Sequence, residues 1–349
     1  MCASGVHPLR GHESEKMKIG PLNISSLALL APMAGATDRP FRELCRRYGA
    51  GYAVSEMIAS NPRLRDSRKS VRRAVSEHDA EPRVLQIVGS DPATMADAAR
   101  HGVDQGAQII DINMGCPAKK VCNTMAGSAL MADEDLATRI IAAVCAAVAV
   151  PVTVKMRTGP TLERRNAAAV ALAAQEVGAA MIVVHGRSRA CGFRGDASYE
   201  TIAEVKAALR IPVVANGDID SPAKARAVLE FTGADAVMVG RAALARPWLC
   251  GEIDHFLGTG ELLAPPSFTE FGRRIREHLL AHYEFHGEYD GLRSARKRIG
   301  WYLAGMPAAS GFIATFNLLE SAAAQLEALD EFFAPGAASD RTTIWRKAA

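Results

Sequence analysis

The sequence predicts an α/β protein: a (β/α)8 TIM barrel followed by a small all-helical C-terminal domain. Three observations predict it. Eight short runs rich in Val, Ile and Leu alternate with helical segments, and each run ends in a polar or glycine-bearing loop. Strands that are apolar on both faces and separated by helices belong to a parallel sheet covered by helices, and eight of them imply closure. After the eighth run, Pro265, Pro266 and Ser267 mark a linker, beyond which everything to Phe333 reads as helix.

The runs, in order, are Leu27 to Met33, Tyr52 to Ser55, Arg83 to Val88, Gln108 to Ile112, Val150 to Met156, Ala180 to Val184, Pro212 to Ala215 and Ala236 to Val239. Between them lie helical segments such as Asp91 to Gln105, Asp133 to Ala149, Asn166 to Val177 and Ser221 to Phe231, with Asp or Ser placed to cap the first free N–H groups. Beyond the linker, Glu270 to Glu284, Gly291 to Leu303 and Phe312 to Phe333 are amphipathic. The expected organisation is a flexible leader over 1–18, a barrel over 19–264, a helical domain over 265–335 and a tail over 336–349.

Composition agrees with a soluble globular protein: 349 residues, 49% hydrophobic and 23% charged, enough for one large barrel plus an appendage or for two ordinary domains. The most apolar stretch, Ile140 to Val154, carries Pro151 and falls short of the ~18 uninterrupted residues of a membrane span. Met1 to Lys18 has no apolar core, so it does not read as a secretory signal. The seven cysteines form no C-x-x-C pair and no cluster with His, which suggests neither a disulfide framework nor a metal site and favours a reducing cytoplasm. A net charge of +3 is too small to imply nucleic acid by itself.

In barrels of this kind the chemistry sits just beyond the C-terminal ends of the strands. Those positions hold Pro32, Met33, Ala34 and Gly35; Ser55, Glu56 and Met57; Gln86; Asp111 to Pro117; Lys155 with Arg157; His185, Gly186 and Arg187; Asn216, Gly217 and Asp218; and Gly240 with Arg241. A lone His or Lys at a strand end is usually structural. Eight such loops in register are hard to dismiss. Gly217, Gly240 and Arg241 fall where barrels bind phosphate, so a phosphorylated ligand is expected. Lys155 points at the barrel mouth, where a buried ammonium needs an anionic partner; a reduced flavin ring and a Schiff-base carbonyl both fit that position. Gln86 and His185 either bond the rim of a ring system or satisfy the core.

Cys116 stands between Gly115 and Pro117, on a loop built to hold it still. Cys45, Cys145 and Cys250 read instead as small buried hydrophobes. Position alone leaves Cys116 as nucleophile or acid. A thiol with an ordinary pKa of about 8.5 is mostly protonated at neutral pH, so its default competence is as an acid.

The motifs at 31–41 (APMAGATDRPF), 54–57 (VSEM), 111–121 (DINMGCPAKKV), 126–130 (AGSAL), 185–187 (HGR), 215–218 (ANGD) and 239–242 (VGRA) resemble those of the tRNA-dihydrouridine synthases, particularly their bacterial B-type subgroup. The resemblance spans residues 17 to 333. It implies tightly bound FMN reduced by NADPH or NADH, hydride transfer from the flavin to C6 of a D-loop uridine in tRNA, and a proton from Cys116 to C5. It places flavin contacts on Pro32, Met33, Ala34, Gln86, Lys155, His185, Asn216, Gly217, Asp218, Gly240 and Arg241, and Asn113 on the uracil edge. It favours position 17 of the tRNA. Cys122, Asn123, Thr124 and Met125 depart from the subgroup, which continues with Asn and basic residues; Cys122 reads as an inert substitution, with a second redox thiol as the alternative.

Basic residues gather on the expected catalytic face: Arg63, Arg65, Arg68, Lys69, Arg72 and Arg73 after strand two, Lys119 and Lys120 after strand four, and Arg164, Arg165, Arg187, Arg189 and Arg194 after strands five and six. Arg293, Arg296, Lys297 and Arg298, near Trp301 and Tyr302, make a second patch in the helical domain, which in this family grips tRNA. Such a face attracts a polyanion. A base inside folded tRNA has to be everted to reach the barrel mouth. The expected partners are therefore tRNA and NAD(P)H, with no membrane and no metal, for a cytoplasmic monomer. Two rival readings are a different FMN barrel, such as a dihydroorotate dehydrogenase, and an RNA-binding protein that has lost its redox chemistry.

Overall fold

The structure, a computed structural model, describes residues 17–334. Ten strands are present among them: β1 (Met17–Ile19), β2 (Leu22–Ile24), β3 (Ala28–Leu30), β4 (Ile58–Ala59), β5 (Val84–Val88), β6 (Ile109–Met114), β7 (Val152–Arg157), β8 (Met181–His185), β9 (Val213–Asn216) and β10 (Ala236–Val239). The last eight form one parallel sheet in the order β3-β10-β9-β8-β7-β6-β5-β4. Its ends meet through residues 51–55, which bridge β3 at Leu30↔Ala53 and β5 at Val54↔Val84. The expected barrel is present.

Strand two differs from expectation. Tyr52 to Ser55 makes isolated bridges rather than a regular strand, and the paired strand β4 lies a few residues later. A side chain explains the break. The N–H of Gln86 donates to Ser55 Oγ at 3.0 Å, so a hydroxyl takes the place of a ladder carbonyl.

The hairpin β1–β2 closes one end of the barrel. Its Met17, Ile19 and Ile24 join Leu29, Tyr52, Ile109, Met181, Val214 and Met238 in a single apolar interior. Met17 and Lys18, expected in the leader, are thus in a strand; the rest of the leader and the tail lie outside the described residues.

Side chains along a strand alternate between faces. Ile110 and Ile112 of β6, Val152, Val154 and Met156 of β7, and Ile182 and Val184 of β8 face the helices in the outer core. The intervening positions point inward, apolar at the hairpin end and polar at the other. On β5 to β9 the polar inward positions are Gln86, Asn113, Lys155, His185 and Asn216, with Arg157 one inward step beyond Lys155.

The helical segments appear where expected, with Asp91, Asp133 and Ser221 accepting backbone N–H groups as caps. Beyond the barrel, helices Phe268–His286, Glu288–Tyr302, Ser310–Leu318 and Ala322–Phe332 surround a core that includes Phe271, Ile275, Ile299, Phe316 and Phe333. The single helix expected from Phe312 to Phe333 is two. Ser321 adopts extended backbone and its side chain caps Ala324, starting a new helix.

One buried ion-pair cluster joins this region to the barrel. Asp38, the cap of helix Arg39–Arg47, takes Arg298 Nη2 at 2.5 Å and His286 Nε2 at 2.6 Å, with His282 Nδ1 at 3.4 Å. Burial favours the neutral acid, but Arg298 and the two imidazoles outweigh it and hold the Asp38 carboxyl well below its usual range.

Candidate active site

The polar ends of the strands converge on one network. Thr153 Oγ1 donates to Asp111 Oδ1 at 2.6 Å and Gln86 Nε2 donates to Asp111 Oδ2 at 2.7 Å. Asn113 Nδ2 donates to Gln86 Oε1 at 2.8 Å, which turns Asn113 Oδ1 toward the backbone N–H groups of Gly115 at 3.2 Å and Cys116 at 3.0 Å. Because a carboxylate only accepts, Asp111 dictates the orientation of both amides. Burial pushes its pKa up to about 6, against the hydrogen bonds from Thr153 and Gln86 and the charge of Lys155.

The Cys116 loop is fixed from its other side too. Ser128 N–H donates to the Cys116 carbonyl at 3.0 Å, Ser128 Oγ at 2.9 Å and Cys122 Sγ at 3.4 Å. Gly127 makes this approach feasible, since at φ +61° a β-carbon there would sit 2.8 Å from the same oxygen. Burial raises the Cys116 thiol above its ordinary pKa, so the protonated form prevails at neutral pH. Cys122 is buried against that carbonyl.

Lys155 Nζ donates to Asn216 Oδ1 at 2.8 Å, and Asn216 Nδ2 in turn donates to the Met238 carbonyl at 2.7 Å. Burial pulls the Lys155 pKa down to about 8 although Asp111 opposes it. His185 is pushed down to about 2 by burial and by the cations Lys155, Arg157, Arg187 and Arg241, so its imidazole is neutral. Arg187 Nη1 lies 3.4 Å from His185 Nε2; a guanidinium only donates, so Nε2 carries the lone pair and Nδ1 the proton.

At the seventh loop Gly217 has φ +126°, where a β-carbon would lie 2.7 Å from Ala197 Cβ. Asp218 follows at φ +49°, a conformation Asp tolerates. Its carboxylate takes both Arg187 amines at 2.9 and 2.6 Å, the Ala197 N–H at 2.8 Å and Arg241 at 3.3 Å. No atom lies within 4 Å of where a β-carbon on Gly240 would sit, and Arg241 is exposed beside it. Pro32, Met33 and Ala34 form the first loop, with Thr37 Oγ1 accepting the Met33 N–H at 2.8 Å.

Several expected RNA contacts stand elsewhere. Arg298 is 4% exposed and consumed by Asp38, so it is not part of a basic surface. Arg187 is buried in its bidentate pair with Asp218. Arg72 pairs with Asp290 at 2.9 Å and Arg73 with Glu56 at 3.0 Å; Arg68 also meets Asp290, and Arg65 meets Asp97. Arg296 is half-buried, 3.4 Å from the Leu319 carbonyl. Lys119, Lys120 and Lys297 are exposed, Lys297 over the Trp301 ring at 4.6 Å.

Sequence reasoning missed Phe193. Its exposed ring lies 6.3 Å from His185, with the Arg157 guanidinium 5.3 Å and that of Arg241 5.6 Å from its centroid. An aromatic between Arg189 and Arg194 on the catalytic face was the available signal. The only candidate metal cluster among the described residues, Asp38 with His278 and His282, already has its charge balanced by Arg298.

Fold and site define a (β/α)8-barrel enzyme. The family model described as dihydrouridine synthase (Dus) matches residues 29–337, and the chain belongs to that family. It is 54% identical over 317 residues to tRNA-dihydrouridine synthase B of Xanthomonas axonopodis pv. citri, covering 91% of this chain and 96% of the relative. Its identity to tRNA-dihydrouridine synthase B of Pseudomonas aeruginosa is 54% over 318 residues, with 91% and 96% covered. For the namesake in Vibrio vulnificus it is 52% over 317 residues, with 91% and 98% covered. Among solved structures, 6-hydroxypseudooxynicotine amine oxidase of Pseudomonas geniculata aligns with 76% of this chain and 52% of its own at a TM-score of 0.52 and 16% identity, a likeness of fold alone.

Proposed function

We propose that this protein reduces the C5–C6 double bond of a D-loop uridine in tRNA to 5,6-dihydrouridine, using tightly bound FMN with NADPH or NADH as electron source. The observation that carries the reading is 54% identity across 91% of the chain to proteins named tRNA-dihydrouridine synthase B. No helix among the described residues is long and apolar enough to cross a membrane, and the proposed place of work is the cytoplasm.

The residues present fit a flavin phosphate and ring. The barrel mouth carries an excess of buried cation in Lys155 and Arg157, with open space at Gly240 beside Arg241. Lys155, Gln86, Asn216 and His185 would hold the ring, and Gly217, Gly240, Arg241 and the backbone of Asp218 the phosphate, with Pro32, Met33 and Ala34 against one edge. Hydride for C6 is the chemistry that such a group supplies when bound and reduced.

The chain's own residues do the rest. Asn113, held by Gln86, fixes the Cys116 loop beside the expected uracil edge. Hydride addition at C6 leaves enolate-like charge on the uracil; the C5–H bond forms as the Cys116 S–H bond breaks, and the thiolate regains its proton from solvent. Phe193 offers the everted base a stacking face. Lys119, Lys120 and Lys297 bind phosphates of the tRNA, and position 17 is the proposed target.

The test is formation of dihydrouridine, read by nucleoside mass spectrometry, when purified protein and NADPH meet tRNA from a strain lacking this protein. Loss of only one D-loop position in that strain identifies the target. Tight tRNA binding with no dihydrouridine would instead support an RNA-binding protein without redox activity.

A further inference from the structure

Arg157 is the largest fully buried side chain, at 1% exposure, and no carboxylate pairs with it among the described residues. A buried charge without a counter-ion is costly, so it persists only where its hydrogen bonds are satisfied. Three backbone carbonyls do this. Nε donates to Gly115 at 2.7 Å, and Nη1 donates to Ser188 at 3.0 Å and to Gly192 at 2.7 Å. One guanidinium therefore ties the loop that bears Cys116 to the loop that bears Phe193.

We propose that Arg157 is the positioning residue for Cys116, clamping its loop through Gly115 and stabilising the thiolate that proton donation leaves behind. The inference rests on the reading of Cys116 as the acid. In that step the S–H bond breaks, C5–H forms, and the sulfur keeps the electron pair as a negative charge inside a half-buried loop. The charged and titratable groups acting on Cys116 are Arg157 from β7 and Cys122 from its own loop; Cys191 and Arg187 act on the guanidinium from the loop after β8. Burial drives the Cys116 thiol pKa up, the Ala118 N–H opposes this, and Arg157 is the cation that opposes it further. Burial likewise lowers the Arg157 pKa to about 10, still charged at neutral pH. Lysine in its place keeps a charge but not the fork that reaches two loops at once.

The test uses the flavin-loaded protein. Alkylation of Cys116 by iodoacetamide is followed against pH by mass spectrometry of its peptide, with Cys145, on an outer helix and not acted on by Arg157, as internal reference, because only the thiolate reacts. In R157Q the Cys116 midpoint should rise, because the cation that favours its thiolate is removed. In R157K the midpoint should stay near that of the natural protein while uridine turnover falls about tenfold or more, since the loop clamp is lost. An unshifted midpoint in R157Q, or normal turnover in R157K, would overturn the proposal. If R157Q does not fold, R157K decides alone. The outcome is separable from the function itself: normal uridine reduction by C116A removes the acid, whereas an essential Cys116 with an unmoved R157Q profile removes only Arg157.

Discussion

Asn113 Oδ1 accepts the backbone N–H of Cys116 at 3.0 Å, and the orientation of that amide is set two residues away in the network, by the carboxylate of Asp111. Donation converges on Asp111, from Thr153 on one side and from Cys116 through Asn113 and Gln86 on the other. Replacing Asp111 by Asn puts a donor where an acceptor stood. Asn keeps one acceptor oxygen for the two donors Thr153 and Gln86, so one of the bonds that fix Gln86 and, through it, Asn113 is lost. D111N should lower kcat for uridine reduction about tenfold, the equivalent of one lost hydrogen bond of ~1.4 kcal/mol. Steady-state kinetics with separate kcat and KM checks this.

The same network predicts a bell-shaped pH profile. Asp111 titrates near 6, so below that pH it begins to donate and one of its accepted bonds is lost. Lys155 is pulled down to about 8 in the flavin-free chain, and an anionic ring beside it moves this upward, so its charge is lost only above that pH. Activity should rise through about 6 and fall above about 8. K155R should move the alkaline limb upward, and a limb that stays in place in K155R assigns it to another group.

Lys155 also carries a stability cost in the flavin-free protein. Its folded pKa of about 8 lies below the ordinary 10.5. Between those values the unfolded chain holds a proton the folded one has shed, so stability rises with pH there, and at pH 7 the buried charge is destabilising. K155M should therefore stabilise apoprotein at pH 7 by on the order of 2–3 kcal/mol while weakening flavin binding. Urea denaturation of apoprotein and flavin titration together test this pair of effects.

Asp38 is the opposite case. Its folded pKa lies well below the usual value, so its contribution is present above about pH 4 and is lost as pH falls. D38N strips the charge partner from buried Arg298 and should cost about 3–5 kcal/mol, lowering Tm by several degrees. Calorimetry reads it, and an unchanged Tm would mean the cluster does not hold the helices to the barrel.

The sites' legibility follows from how local the signal was. Strand columns were readable because burial on both faces leaves uninterrupted Val and Ile, and their polar ends gave Gln86, Asn113, Lys155, His185 and Asn216 by position. Arg298 was misread as surface because its partner Asp38 lies 260 residues away in the chain. Arg187 was misread for the same kind of reason, with Asp218 closing on it across a loop. Strand two was blurred by one hydroxyl, Ser55 Oγ, and the long last helix by one cap, Ser321. Pairings made in three dimensions leave no periodicity to read.

Exposed Lys119 and Lys120 flank the Cys116 loop. If both contact phosphate, the double change to Ala should reduce the slope of log affinity for tRNA against log salt by between one and two, raising KM with little change in kcat. Filter binding across a salt series measures the slope, and an unchanged slope would place the tRNA elsewhere.

Cys116 is the proposed proton donor to C5 of the uridine. The most direct measurement compares the flavin-loaded natural protein with C116A, following NADPH oxidation and dihydrouridine formation on tRNA lacking the modification. C116A should continue to oxidise NADPH while its uridine reduction slows by about 10²- to 10⁴-fold. Uridine reduction by C116A at the natural rate would contradict that role.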